Sequence, residues 1–460
     1  MSHLPPQPIS PLDGRYRAAV DVLGEYLSEA ALNRLRVEVE IEWLIALTRR
    51  GLFGTEALGD ATESGLRRIV ADFGSDEIAE LAAEEAITRH DVKAIEYFIR
   101  RRLVALGLAN IAELTHFAAT SEDINNLAYS LGLQRTVSTI WLPRFDALVT
   151  ELTNVAQRER ATPMLAHTHG QPATPTTFGK EIAVVVGRLQ RVRRRVLAVE
   201  YLGKFNGATG TYAAHVAAAP EADWPAISRG FVEGLGLTWN PLTTQIESHD
   251  AQAELYGAMS HINRILHNLC TDIWAYISMG YLAQTPVEGA TGSSTMPHKV
   301  NPIRFENAEA NLELSTAVFD SLAATLTTSR LQRDLTDSTT QRNIGVAFGH
   351  SLIALDNLLR GLGEISVANG VLEADLEHNW EVLAEAIQTV IRAEVTAGRS
   401  TIPDPYALLK ELTRGHRITA DELRTFIAGL DIGDEAKGRL LALSPAGYVG
   451  LASALVDYLD

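Results

Sequence analysis

The chain has 460 residues, enough for two or three domains or one elongated core, and its 46% apolar and 21% charged residues are ordinary for a globular protein. With 57 Asp and Glu against 40 Lys and Arg the net charge is -17, which argues against broad binding to nucleic acid or an acidic membrane. One cysteine, Cys270, excludes an internal disulfide and any cysteine-built zinc or iron–sulfur site. No run of about eighteen apolar residues predicts a membrane span, and Met1-Ser2-His3-Leu4 lacks the features of a signal peptide, so a cytoplasmic location is expected.

Residues 1–15 are proline-rich and predict an irregular arm. A first helical region follows and is interrupted at Gly107 and Asn110, which sets an N-terminal domain at 1–110. Beyond it Phe145, Leu148, Leu152 and Val155 recur at three and four residues, as do Ile262, Ile265, Leu266, Leu269 and Ile273, and then Phe348, Leu352, Leu355, Leu359 and Leu362. Alternating strand patterns are scarce. The spacing therefore predicts an all-α protein in which long helices pack at shallow angles in a bundle, spanning a central domain at 111–364. Such stripes often complete their core in an oligomer, although a bundle within one chain also accounts for each. The cluster Arg188, Arg191, Arg193, Arg194 and Arg195 shares its segment with Val185, Leu189, Val192, Val196 and Val199, and reads as the charged face of a helix, not a nucleic-acid patch. After Asn369-Gly370 the elements shorten between Pro403, Pro405, Gly415, Gly429, Gly433 and Pro445, and a small helical domain is expected at 365–460.

Five groups of residues carry possible chemistry. Arg89-His90-Asp91 sets an imidazole beside a carboxylate. Thr120-Ser121-Glu122-Asp123 has hydroxyls at a helix cap and acids in the first turn, a pattern that caps helices and also suits a bound phosphate or carboxylate. His167-Thr168-His169-Gly170-Gln171-Pro172 places two histidines in a turn bounded by Gly and Pro. They could hold a metal from a strand or act as an acid–base group, but the metal reading belongs to barrel hydrolases, whose strand–helix repeats are missing here. Arg330, Arg333 and Arg342 flank Asp334, Asp337 and Ser338, either as surface pairs or as a local anion site. In the loop from Gly289 to Pro302, Ser293 or Ser294 stands near Lys299, and Asn301-Pro302 is expected to cap the next helix and supply its first residue. A serine there gains partners for an alkoxide, unless the loop is only a connection.

The run Gly292-Ser293-Ser294-Thr295-Met296-Pro297-His298-Lys299-Val300-Asn301-Pro302 resembles the GSSxMPxKxNP signature of the fumarase/aspartase superfamily, whose members eliminate fumarate from a substituted succinate. Within it, Arg333 to Ser338, Thr168 to Pro175 and His90-Asp91-Val92-Lys93 resemble the adenylosuccinate lyase family in its bacterial form, and the likeness extends from Ser10–Tyr16 to Ser444–Tyr448.

That resemblance implies two β-eliminations, from adenylosuccinate to AMP and from the succinyl-carboxamide ribotide SAICAR to AICAR. By motif position Ser293 is the implied base and His169 the implied acid. Lys299 and Asn301 would stabilise the dianionic intermediate and Ser294 would bind substrate. Arg15 and Tyr16, with Ser338 and Arg342, would hold the nucleotide and its phosphate. His90, Asp91, Thr120, Ser121, Gln245, Asn307 and Arg333 would line the rest, with His90 supporting His169. Arg89 and His167 stand where relatives often carry a smaller polar residue and an arginine, and are left out of the site. The resemblance also implies no metal, no cofactor, and a homotetramer in which three chains build each active site. The other readings are a sister lyase for argininosuccinate, aspartate or malate, and an idle structural relative. Thr295, His298 and the Arg333 to Ser338 run speak against the first; Ser293, His169 and Lys299 together speak against the second.

Overall fold

The computed structural model describes residues 8–285, 296, 299–413 and 418–459. In chain order its principal elements are α1 (Glu29–Arg49), α2 (Asp91–Ala105), α3 (Ser121–Arg135), α4 (Leu142–Arg158), β1 (Pro163–Thr168), β2 (Gln171–Thr177), α5 (Phe178–Ala198), β3 (Leu202–Gly203), β4 (Thr238–Trp239), α6 (Asp250–Ser278), β5 (Leu282–Gln284), α7 (Ile303–Leu326), α8 (Ile344–Gly363), β6 (Ile365–Val367) and α9 (Ala384–Thr396). The fold is all-α. Among the described residues the only sheets are two-stranded: β1 with β2 antiparallel, β3 with β4 parallel, and β5 with β6 antiparallel. No single described helix is long and apolar enough to cross a membrane.

Two compact units make up the chain. One comprises Met1–Phe145, Val192–Arg264 and Ala310–Asp356, the other Asp146–Arg191, Ile265–Glu309 and Asn357–Asp460. The long helices α4 to α8 each contribute residues to both.

In the first unit α1 is buried on most sides, with Val37, Val39, Ile41, Trp43, Ile45 and Leu47 in the core and the polar Arg36, Glu40 and Thr48 buried beside them, as in a helix that runs through a core. Ser28 caps it by accepting from the Ala31 N–H at 3.0 Å. The Trp43 ring lies 4.1 Å from Phe205 and 5.0 Å from Phe231, and its indole N–H donates to the Phe117 carbonyl at 3.1 Å. Burying each such ring contributes about 1.5–3 kcal/mol. A π-helical turn, Thr136–Trp141, joins α3 to α4, and Trp141 donates to Ser351 on α8 at 2.9 Å. On the α6, α7 and α8 side, Asn263 donates to Ser315 at 2.9 Å, Ser315 donates to the Ala347 carbonyl at 2.8 Å, and Phe319 packs against both Tyr256 and Phe348.

The apolar stripes face inward within the chain. Phe145, Leu148, Leu152 and Val155 on α4, and Ile262, Ile265, Leu266, Leu269 and Ile273 on α6, are all buried. On α5, Val185, Leu189, Val192 and Val196 are buried as well, so the arginine cluster is the outer face of that helix. The exception is Leu359 on α8, which is 38% exposed. Helix α7 starts one residue later than expected. Pro302 is its cap, accepting from the Phe305 and Glu306 N–H groups, and Asn301 precedes it.

In the second unit, α5 meets α6 through Arg188 and Asn268 and through the rings of Phe178 and Tyr276. The α6–α7 contact uses Thr271 with Glu309 and Trp274 with Glu306. Trp380, Leu383, Ile387, Ile391, Leu409 and Leu423 form a separate small core in the C-terminal helices.

One buried ion pair fixes the start of α3. Lys204 Nζ lies 2.8 Å from Asp123 Oδ1, and both side chains are 0% exposed. Asp123 also accepts from the backbone N–H groups of Thr120, Asn206 and Gly207, while Asn126 exchanges hydrogen bonds with the Lys204 backbone. Replacing Lys204 with Met leaves the carboxylate buried without its cation. The Lys204→Met variant is expected to lose about 3–5 kcal/mol, read as a lowered urea midpoint of unfolding.

Candidate active site

Thr120 ends an unusual stretch of backbone. His116 and Ala118 both have positive φ, 58° and 55°, and Thr120 then adopts extended geometry as the cap of α3. Asp123 reaches back to the Thr120 N–H at 2.8 Å, as the motif predicts. His116 is tied down twice, its N–H donating to Glu40 Oε2 at 3.0 Å and its Nδ1 lying 2.6 Å from Glu40 Oε1. Burial disfavours the imidazolium, but the Glu40 hydrogen bond and charge outweigh it and raise the His116 pKa above the usual value.

From α3 a chain of polar contacts runs through the first unit. Glu122 Oε1 is 2.8 Å from Arg333 Nη2 and accepts from Asn125 Nδ2 at 2.8 Å. Arg333 Nη1 donates to Gln245 at 3.1 Å. In the other direction Arg36 Nε donates to Asn125 Oδ1 at 2.8 Å and its Nη2 to Asp91 Oδ2 at 2.8 Å. Arg342 then lies 3.6 Å from Asp91 and pairs with Glu29. Four residues that the resemblance assigns to substrate, Asp91, Gln245, Arg333 and Arg342, are thus connected, although they lie far apart in sequence. Burial opposes ionisation of Asp91, yet Arg36 and the Val92 N–H bring its pKa below the usual carboxylate value. Burial has the opposite outcome at Glu122: it exceeds the opposing effect of Arg333 and raises the pKa.

His90 is the cap of α2, its Nδ1 accepting from the Lys93 N–H at 3.3 Å. That bond requires an unprotonated Nδ1. Arg89 closes the preceding helix, Ser75–Thr88, in the left-handed conformation at φ 52°, so its evident role is in the backbone. Ser121 opens α3 next to Thr120, and Ser338 has its N–H on Asp337 at 2.7 Å. Arg15 is exposed and Tyr16 half-buried at the start of the chain, where Tyr16 N–H donates to the Pro11 carbonyl at 2.9 Å.

The second unit holds His169, Lys299, Asn301 and Asn307. His169 lies in a turn, as its Gly- and Pro-bounded setting predicts, and that turn is the tip of a hairpin. Thr168 pairs with Gln171, which leaves His169 and Gly170 as a two-residue loop with φ of 55° and 72°. Two positive φ values define a type I′ turn, which matches the twist of the strands and favours Gly at its second position. The hairpin is exposed at the tip and buried at the base, where Pro175, Thr176 and Thr177 lie. Gly179 permits the base to close: a Cβ there would come within 2.4 Å of the Ala156 carbonyl oxygen. Arg160 anchors the entry by donating to the Ser453 carbonyl and to Asp457, each at 2.8 Å. His167 packs its ring 6.1 Å from Tyr281, whose hydroxyl is held by Asp375. Lys299 is exposed, Asn301 is half-buried, and Asn307 accepts from Asn357 at 2.9 Å. Ser293 and Ser294 lie outside the described residues. Among the described residues no three His, Cys, Asp or Glu side chains group as a metal-ligand set.

Sequence reading missed Arg36, Asn125 and Glu122. In sequence Glu122 is only a first-turn acid, and the bonds from Arg36 to Asn125 and Asp91, which join three helices, have no local signature.

Solved structures share this fold. A fumarate lyase from Mesorhizobium sp. superposes with a TM-score of 0.74 at 21% identity, covering 95% of this chain and 97% of that one. A 3-carboxy-cis,cis-muconate lactonizing enzyme from Pseudomonas putida gives 0.73 at 21% identity, covering 96% and 97%. These show the fold; sequence narrows the class. Residues 14–316 match the family described as lyase, and residues 329–449 the one described as adenylosuccinate lyase C-terminal. The adenylosuccinate lyase of Escherichia coli K12 is 46% identical over 458 residues, 98% of each chain, and that of Vibrio cholerae is 45% identical over 454 residues, again 98% of each. The chain belongs to the adenylosuccinate lyase family of C–N lyases.

The His116–Glu40 pair makes stability depend on pH. Because the folded pKa is raised, its contribution is complete below the ordinary histidine value and is lost as pH rises through the folded value. His116→Gln is therefore expected to cost roughly 2 kcal/mol at pH 6, with the gap to the native protein narrowing at pH 9 in paired urea titrations.

Proposed function

We propose that this chain eliminates fumarate from adenylosuccinate to give AMP, and from SAICAR to give AICAR. The observation that carries the reading is the 46% identity to an adenylosuccinate lyase across 98% of both chains. A base removes a weakly acidic proton beside a carboxylate, an acid protonates the departing nitrogen, and a dianion stands between them. Ser293 is the proposed base, with Lys299 and Asn301, next to the start of α7, stabilising its alkoxide and the dianion. His169 is the proposed acid. Its place on an exposed two-residue turn supports this role, since imidazole donates protons readily near neutrality and the turn presents it away from the hairpin base.

Ser294, Asn307, Arg15, Tyr16, His90, Asp91, Thr120, Ser121, Gln245, Arg333, Ser338 and Arg342 form the proposed substrate contacts. The polar chain joining Asp91, Gln245, Arg333 and Arg342 supports the assignment for those four. His90 is taken to assist His169, which in a shared site belongs to another chain. The proposed assembly is a cytoplasmic homotetramer with sites built from three chains. Apolar side chains left in solvent on the long helices favour it: Val184 and Leu197 on α5, Trp274 on α6 and Leu314 on α7. The proposed domains are 1–110, 111–364 and 365–460, with no resident metal or cofactor.

Purified protein is expected to release fumarate in step with the loss of adenylosuccinate absorbance, equally with and without EDTA. No release, or release only from argininosuccinate, aspartate or malate, would overturn the reading. A second test uses the turn geometry. Asn-Gly is the preferred pair for a type I′ turn, so His169→Asn should keep or raise the melting temperature while kcat falls by roughly 10²–10⁴-fold.

A further inference from the structure

We infer that Glu122 is a positioning residue, which holds the Arg333 guanidinium toward the substrate and couples it through Asn125 and Arg36 to Asp91. This rests on the assignment of Arg333 and Asp91 to substrate contacts made above. Glu122 is 3% exposed and Arg333 has a side chain 15% exposed, so the pair is shielded from water and from salt. Among the described residues the carboxylate is the one charged partner within 3 Å of that guanidinium; Gln245 takes a second donor at 3.1 Å, and Arg333 Nε is buried with no partner among them. An arginine gripped at both terminal nitrogens has few rotamers left, so its entropy of ordering is spent before any ligand arrives.

Asn125 does the coupling. Its amide donates to Glu122 and its carbonyl oxygen accepts from Arg36, each at 2.8 Å, and Arg36 in turn reaches Asp91 at 2.8 Å. A shift of Glu122 is therefore felt at both Arg333 and Asp91. The groups facing the carboxyl are Arg333 and His249, which favour its charge, Asn125, which donates to it, and Asp337, which opposes its charge. His249 is 1% exposed with neither ring nitrogen hydrogen-bonded, and Asp337 lies 3.9 Å from Arg333. With burial added, Glu122 takes up a proton at a higher pH than an ordinary glutamate, and on protonation the charged grip on Arg333 is released.

The test compares KM and kcat for adenylosuccinate in the native protein and in Glu122→Gln, Asn125→Ala and Arg333→Lys, from pH 5 to 9. Glu122→Gln keeps the shape and removes the charge. Its KM should exceed the native value by about tenfold at pH 8 and converge on it at the acid end, with kcat changing much less. Asn125→Ala should raise KM in the same direction by a smaller factor. If Arg333→Lys raises KM while Glu122→Gln does not, or if the Glu122→Gln effect is the same at every pH, the positioning role is wrong and the assignment of Arg333 stands. If Arg333→Lys leaves KM unchanged, the assignment itself fails and the proposal falls with it. Should Glu122→Gln not fold, Asn125→Ala decides: an unchanged KM overturns the inference.

Discussion

The Asp123–Lys204 pair is the constraint on which the first unit depends. Burying two full charges costs several kcal/mol for each ion, and only a nearly complete set of partners offsets it. Asp123 has that set in one lysine and three backbone N–H groups, contributed by Thr120, Asn206 and Gly207. The same contacts fasten the first turn of α3 to the segment after β3. Four consecutive residues then divide the work. Thr120 and Ser121 form the cap and first residue of the helix, Glu122 turns toward Arg333, and Asp123 anchors the turn.

Electrostatically the chain is acidic, and two of the arginines proposed to contact substrate have acidic partners. Arg333 has Glu122, and Arg342 has Glu29 and Asp91. Arg36 links the two groups through Asp91 and Asn125. The pairs keep the cations in place at the cost of part of their long-range attraction, so an anionic ligand gains from shape and short contacts more than from steering at a distance. Half-buried His116 and buried Glu40 add a pair four residues before Thr120, where two residues with positive φ would otherwise favour another backbone path.

How much of this was legible in the sequence depends on the range of the interaction. Periodicity alone predicted the long helices, and the stripes on α4, α5 and α6 are buried as the spacing demands. Leu359 departs because its neighbour Leu358 takes the inward position: Leu355, Leu358 and Leu362 are buried, and Leu359 lies one residue off that face. The Thr120 cap was readable, since the donor and the acid lie three residues apart. The hairpin was not. Thr168, His169, Gln171 and Pro172 are exposed and lack the apolar alternation that marks a strand, and a two-residue turn with His in the first position is a weak signal beside Asn-Gly. The polar chain through Arg36, Asn125 and Glu122 was out of reach for a different reason. Apart from the Asn125–Glu122 bond within α3, its links run between elements, with Arg36 joined to residues 55 and 89 positions away, and no local pattern encodes such pairings.

The two-residue loop at His169 also constrains how this part of the chain can vary. Strand pairing has a period of two, so one added or deleted residue between Thr168 and Gln171 would either open the turn or shift the pairing of Thr168, His167 and Ala166, up to the bulge before Ala166. Long surface loops absorb changes in length with little loss. This connection cannot. Its length is set by the handedness of the turn, and variation there is confined to exchanging one side chain for another.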